Sequence, residues 1–186
     1  MYYSPLPEDI QEQLTEIPFA ERRTALFLGN TMNSVYTADY IFEIMDACMA
    51  KNAAEDLEIT DGYIMEYNGV MTARYTEVMP EQLQEWNPDV IWVPYYADYT
   101  AEDVLNNPDF QSITAVKNGE VYTVPGALEP WYYPTLAIHL GIIWATYTLY
   151  PDICPYERVV QEANSYYADV FNAEFTEEDM GLYRIK

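Results

Sequence analysis

Basic side chains are scarce in this sequence. Its 186 residues contain 8 Lys plus Arg against 31 Asp plus Glu, a formal net charge of −23. A polyanion of this kind repels phosphate backbones and anionic headgroups, which excludes nucleic acid and membrane surfaces as natural partners. The same sign suits a cationic ligand or a basic partner surface, and it also serves solubility. Histidine occurs once, as His139, and cysteine twice, as Cys48 and Cys154, with no CxxC spacing. Imidazole–thiolate metal cages and a Cys–His nucleophile therefore have no sequence support. Two isolated cysteines neither require nor exclude a disulfide. The GxSxG, P-loop and GxGxxG patterns are absent, which removes nucleophile-elbow hydrolysis and nucleotide chemistry through those motifs. No uncharged apolar run reaches the roughly 18 residues of a membrane-spanning helix. The opening Met1-Tyr-Tyr-Ser-Pro-Leu-Pro-Glu-Asp lacks the basic and apolar regions of a signal peptide, so either the protein is cytosolic or an export signal lies outside this sequence.

What is present is a folding composition: half the residues are apolar, and 16% are aromatic, with 19 tyrosines. The length suits one domain with a substantial core. Ile10, Leu14 and Ile17 stand at helical spacing behind Pro and acidic residues and predict a short helix. Thr24 to Leu28 reads as a buried strand. Asn33, Ser34 and Thr37 offer caps for a helix over about 38–50 with Ile41, Met45 and Cys48 on one face. Asp61-Gly62 marks a turn before a short strand at Tyr63 to Met65.

Pro80 to Glu85 predicts a helix, because Pro suits the first turn and acids behind it suit the dipole. Asn87-Pro88-Asp89 then breaks it. Val90 to Val93 is the continuous apolar run of a strand covered on both faces. Thr100-Ala-Glu-Asp103 is a capping box. Asn118-Gly119 turns into a strand at Val121 to Val124. An amphipathic helix, the longest of the chain, is predicted to begin near Trp131 or Tyr133 and to stop at Pro151. Another runs from Tyr156 to Phe171, and Thr176 opens a last turn. Strands alternating with helices make a Rossmann-like α/β lobe, a mainly parallel sheet between helical layers. Ligands meet such sheets at the carboxyl ends of the strands, here the loops 30–36, 95–99 and 125–133.

Several tracts in order resemble the periplasmic binding proteins that serve ferric siderophores, haem and cobalamin, and specifically their C-terminal half. Met79-Pro-Glu81-Gln-Leu83 with Trp86-Asn-Pro-Asp-Val-Ile91 is similar to that family's helix-to-strand junction. Ala115-Val-Lys-Asn-Gly-Glu-Val-Tyr122 with Val124-Pro125 resembles a hairpin-like tract that follows it. Leu140-Gly-Ile-Ile-Trp144, Leu149-Tyr-Pro-Asp152 and Tyr167 to Phe175 continue the likeness, and Lys51-Asn-Ala-Ala-Glu-Asp56 resembles an upstream loop. Where the family carries paired glycines before that Asn, Met49-Ala50 stands here.

The resemblance implies an importer's substrate-binding lobe, not an enzyme and without a cofactor. Residues 1–20 would be the end of an inter-lobe helix and residues 21–186 the lobe itself. Its partners would be a metal-chelate ligand, an ABC permease, and either an N-terminal lobe absent from this sequence or a homodimer mate. The location would be extracytoplasmic. The alternatives are an acidic protein-interaction module and a chelatase-like metal-handling protein.

Tyr95, Tyr96 and Tyr99 follow one strand, and Trp131, Tyr132 and Tyr133 follow the next. Tyr36 follows the first. Their rings suit planar or aromatic ligands by stacking and apolar burial. The resemblance assigns Glu81 to an arginine of the permease, a pairing in which a carboxylate stays solvated until a guanidinium arrives. Arg74 is a candidate partner for an anionic chelate and Glu129 for a ligand contact. Met65, Met71 and Met79 are conceivable soft ligands, although Met is usually packing. His139 lies within the predicted long helix, where a packed histidine is expected.

Overall fold

The computed structural model describes residues 6–57, 64–67, 70–73, 75–126 and 128–182, with the backbone alone at 64–67 and 70–73. Arg74 and the Asp61-Gly62 turn lie outside the described residues, as do the side chains of Met65 and Met71.

In chain order the elements are α1 (Glu8–Thr15), β1 (Thr24–Phe27), β2 (Ser34–Tyr36), α2 (Asp39–Ala47), β3 (Lys51–Asn52), β4 (Ile64–Tyr67), β5 (Val70–Ala73) and β6 (Tyr75–Glu77). Then come α3 (Pro80–Trp86), β7 (Val90–Val93), α4 (Ala101–Asn106), α5 (Thr114–Asn118), β8 (Val121–Thr123), α6 (Ile138–Leu149) and α7 (Tyr156–Phe171). Four strands form one parallel sheet in the order β3-β1-β7-β8. The pairs β2–β6 and β4–β5 are separate antiparallel ribbons.

Successive residues of a strand face opposite sides of the sheet, and the two central strands divide accordingly. Ala25, Phe27, Val90 and Trp92 enter a core with residues of α1, α2, α6 and α7. Leu26, Leu28, Ile91 and Val93 enter a second core with Leu83 of α3, Val104 of α4 and Val116 of α5. Burial on both faces explains why Val-Ile-Trp-Val has no polar alternation. The result is the three-layer α/β lobe expected.

Most helix boundaries follow local chemistry. Thr100 and Asp103 close the capping box of α4. Asn87 ends α3 in the left-handed conformation, and Gly119 ends α5 with φ 72°. The tract before β8 is thus a helix and its glycine cap, not a hairpin-like turn. At α2 the cap residue is Ala38, without a side-chain cap, and Ser34 is taken up by β2.

The long-helix expectation needs a larger correction. Residues 131–137 form turns, α6 begins at Ile138, and α7 is longer. Nor is α6 amphipathic, since ten of its twelve residues are buried. It packs against both α2 and α7 and meets Trp92 of the sheet, whose Nε1 donates to Thr148 Oγ1 at 2.9 Å. Its two buried threonines are accommodated by donating backward to helix carbonyls, Thr146 to Ile142 and Thr148 to Ala145, each at 2.8 Å.

Candidate functional site

The carboxyl ends of β1, β7 and β8 lead into segments that carry a dense set of phenols. Phe27, the last residue of β1, forms the base. Its ring centroid lies 5.5 Å from Tyr36 and 5.2 Å from Tyr132. Tyr36 and Tyr132 meet edge-on at 5.9 Å, and both are buried. Around this floor stand half-buried tyrosines: Tyr40, whose hydroxyl donates to that of Tyr36 at 3.3 Å, Tyr133 at 4.9 Å from Tyr132, and Tyr75 at 6.3 Å from Tyr36. Tyr40 and Tyr133 close the ring with centroids 6.5 Å apart. Edge-to-face contacts of this kind each contribute about 0.5–1.5 kcal/mol beyond area burial, so the patch is self-supporting.

Burial is the first cause that drives the Tyr36 and Tyr132 phenols well above their ordinary range. Hydrogen bonding and the electrostatics of neighbouring tyrosines add to it, from Tyr40 at Tyr36 and from Tyr133 at Tyr132. Both phenols stay protonated at any physiological pH. The floor of the face is therefore uncharged.

Of the other residues expected here, Tyr95 and Tyr96 meet edge-on at 4.9 Å on the loop after β7. Tyr96 is 58% exposed. Gly126 lets the neighbouring loop approach, since a Cβ there would stand 3.1 Å from the Tyr95 ring and 2.9 Å from Pro130 Cα. Tyr99 is tied down instead, donating its hydroxyl to the Gly29 carbonyl at 2.7 Å.

Trp131 goes to the core. It is fully buried, and its indole N–H donates to the Tyr167 hydroxyl at 3.1 Å. Its carbonyl rests on Gly141, where any Cβ would fall 2.1 Å away. Glu129 accepts from Tyr166 at 2.8 Å, a second tie between this loop and α7. Trp131 thus serves the site by anchoring Tyr132 and Tyr133. Tyr40 and Tyr75 join the site without a local sequence signal. Tyr40 sits within the helix predicted over about 38–50, and Tyr75 lies outside the strand-end loops 30–36, 95–99 and 125–133.

Glu81 is exposed on the first turn of α3, beside Met79 at 68% exposure. His139 Nδ1 lies 2.7 Å from the Leu136 carbonyl, and the ring packs edge-on against Tyr166. Cys48 and Cys154 are buried free thiols, both pushed up to about 12 by that burial. Neither is a nucleophile in the folded chain. Among the described residues no group of three or more His, Cys, Asp or Glu is placed to hold a metal ion.

Residues 12–128 match the family described as periplasmic binding protein. The chain belongs to that family. Among relatives of this family, the molybdate-binding protein MolA of Haemophilus influenzae is 27% identical over 121 residues, covering 61% of this chain and 34% of that protein. Its crystal structure with molybdate superposes with a TM-score of 0.70 at 22% identity, over 90% of this chain and 47% of MolA. A solute-binding protein from Sulfurospirillum deleyianum gives 0.73 at 23% identity, over 95% and 51%. The Helicobacter pylori protein CeuE, solved as a nickel–histidine complex, gives 0.68 at 20% identity, over 94% and 52%. This chain therefore spans about half the length of these structures. At these identities the superpositions establish the fold. No helix among the described residues is long and apolar enough to cross a membrane.

Proposed function

We propose that this periplasmic-binding-protein chain is a substrate-binding lobe that presents a small metal-containing solute to an ABC permease outside the cytoplasm. The observation that carries the reading is the tyrosine face at the carboxyl ends of β1, β7 and β8. Open α/β sheets bind ligands at that end, and half-buried aromatic surface with O–H groups suits a ligand buried by closure of two walls. Tyr36, Tyr95, Tyr96, Tyr132 and Tyr133 are the proposed contacts, with Tyr40 and Tyr75 added. Tyr99 and Trp131 hold the loops that carry them. In this reading residues 21–186 are the lobe, residues 1–20 close an inter-lobe helix, and an N-terminal lobe or a homodimer mate supplies the opposing wall. Exposed Glu81 would dock the permease.

For the ligand, we favour a chelate of the ferric-siderophore, haem or cobalamin type. Such a ligand brings its own coordination sphere and needs ring faces and hydrogen bonds from the protein, which tyrosines supply. The likeness to MolA supports a second reading, molybdate, an oxyanion that O–H donors can also hold.

Scanning calorimetry of the protein against a ferric siderophore, haem, cobalamin, nickel–histidine and molybdate separates these. A ligand in hundredfold excess over its dissociation constant stabilises by about 2.7 kcal/mol. The expected result is a shift with one chelate that disappears in Tyr133→Ala. A shift with molybdate alone would replace the chelate by the oxyanion. No shift with any of them would leave an acidic interaction module as the better description.

A further inference from the structure

A concavity lies beside β2, α2 and the turn that follows β3. Its volume is about 250 Å³, and Tyr36, Val35, Phe42, Leu57, Asn52 and Glu55 line it. Besides the hydroxyl-bearing Tyr36 and Thr37, its polar groups come from one short turn. Asn52 Oδ1 accepts the backbone N–H of Ala54 at 3.0 Å, which fixes the orientation of the carboxamide. The amide's own N–H groups make no hydrogen bond to a described residue. The Glu55 backbone N–H returns to the Asn52 carbonyl at 3.2 Å and closes the turn, while the Glu55 side chain is exposed and takes part in no ion pair among the described residues. A donor and a carboxylate thus stand on one turn, beside the aliphatic and aromatic surface of Val35, Phe42 and Leu57.

We infer that this cavity is a second small-molecule site, for an aliphatic amine with a carbonyl next to its ammonium group, the chemistry of an amino-acid amide. Each part of such a ligand has a counterpart. The ammonium pairs with Glu55, reinforced by a chain of net charge −23. The carbonyl oxygen accepts from the Asn52 amide. A branched alkyl group covers Val35, Phe42 and Leu57, and burial of apolar surface supplies most of the affinity. Tyr36 belongs both to this cavity and to the tyrosine face, so occupancy of one is felt at a side chain of the other. The inference does not depend on what the tyrosine face binds.

The test is a calorimetric titration of the full chain with L-leucinamide, alongside N-acetyl-L-leucinamide, which keeps the body and loses the charge. Saturable binding with a dissociation constant on the order of 1 mM is expected for the amine, and binding at least about tenfold weaker for the acetylated compound. Glu55→Gln, a change at an exposed side chain that leaves the fold intact by circular dichroism, should weaken leucinamide by about fivefold to tenfold. Absence of saturable leucinamide binding overturns the site. Equal binding of the two compounds, or an unchanged constant in Glu55→Gln, overturns its assignment to an amine. Loss of leucinamide binding in Tyr133→Ala, a residue outside the cavity lining, would move the ligand to the tyrosine face and overturn the second site. None of these outcomes is shared with failure of the chelate panel.

Discussion

The two ends of the parallel sheet use polar groups in opposite ways. At the amino end, side chains close onto the backbone. Arg23 donates to the Leu149 carbonyl at 3.0 Å, to Thr148 at 3.4 Å and to Asp89 at 3.3 Å. Asp89 accepts from both the backbone N–H and the hydroxyl of Thr24 at 2.8 Å. The Tyr150 hydroxyl accepts from the Arg23 N–H at 3.1 Å and donates to the Met49 carbonyl at 3.0 Å. These contacts join α6, β1, β7 and the turn after α2, and they use the C-terminal carbonyls of α6 that a helix leaves open. At the carboxyl end, tyrosines contact chiefly one another. Hydrogen bonds to backbone hold an architecture in one arrangement, whereas the half-buried phenols around Tyr36 and Tyr132 can exchange contacts with one another for contacts to a ligand. The amino end is a latch and the carboxyl end is a surface.

That contrast makes quantitative predictions. Asp89→Ala should show the largest effect, a loss of about 3 kcal/mol in urea unfolding, because two hydrogen bonds to its side chain disappear and the Thr24 donors at the start of β1 lose their partner. A loss below 1 kcal/mol would mean that water replaces the carboxylate and the latch is unimportant. Trp131→Phe comes next, at about 1–2 kcal/mol, from the lost indole hydrogen bond and the smaller ring. It should also weaken whatever the tyrosine face binds, since Tyr132 and Tyr133 lose their anchor. Tyr133→Phe should change stability by less than about 0.5 kcal/mol while lowering ligand affinity. An equally large stability loss there would erase the distinction between the two ends.

The smallest effect is electrostatic. The Thr100 hydroxyl and backbone N–H hold the Asp103 carboxyl below the usual carboxylate range, and Thr176 does the same for Asp179. Each folded carboxyl sits below its unfolded value, so its contribution is present above the unfolded pKa, near 4, and fades as pH falls through the folded one. Melting curves between pH 6 and 3 (an illustrative span of roughly three units around that value) should show this acid dependence shrink in the pair Asp103→Asn and Asp179→Asn.

Much of the scaffold is legible locally. Val90 to Val93 reads as a covered strand because it is apolar at every position, and the Thr100–Asp103 box announces itself through side-chain chemistry. The start of α6 is not legible, because the apolar spacing that predicts a helix from Trp131 continues through a segment that the packing of Trp131 against Gly141 folds into turns. Part of the tyrosine face follows from placing aromatics after strands. The separation of Trp131 from Tyr132 and Tyr133 does not, since three successive aromatics have the same local signal and only their neighbours differ.

The sequence alone determined the alternation of strands and helices, the covered central strand, the capping box of α4 and the scarcity of cationic side chains, all of which depend on residue type and short-range spacing. Tertiary structure decided which tyrosines meet. Tyr36, Tyr40, Tyr75, Tyr132 and Tyr133 come from four separate segments, and nothing within any one segment specifies the others. Their meeting is set by the parallel order of β1, β7 and β8 and by the core contacts that fix each loop, and long-range packing of that kind has no local code.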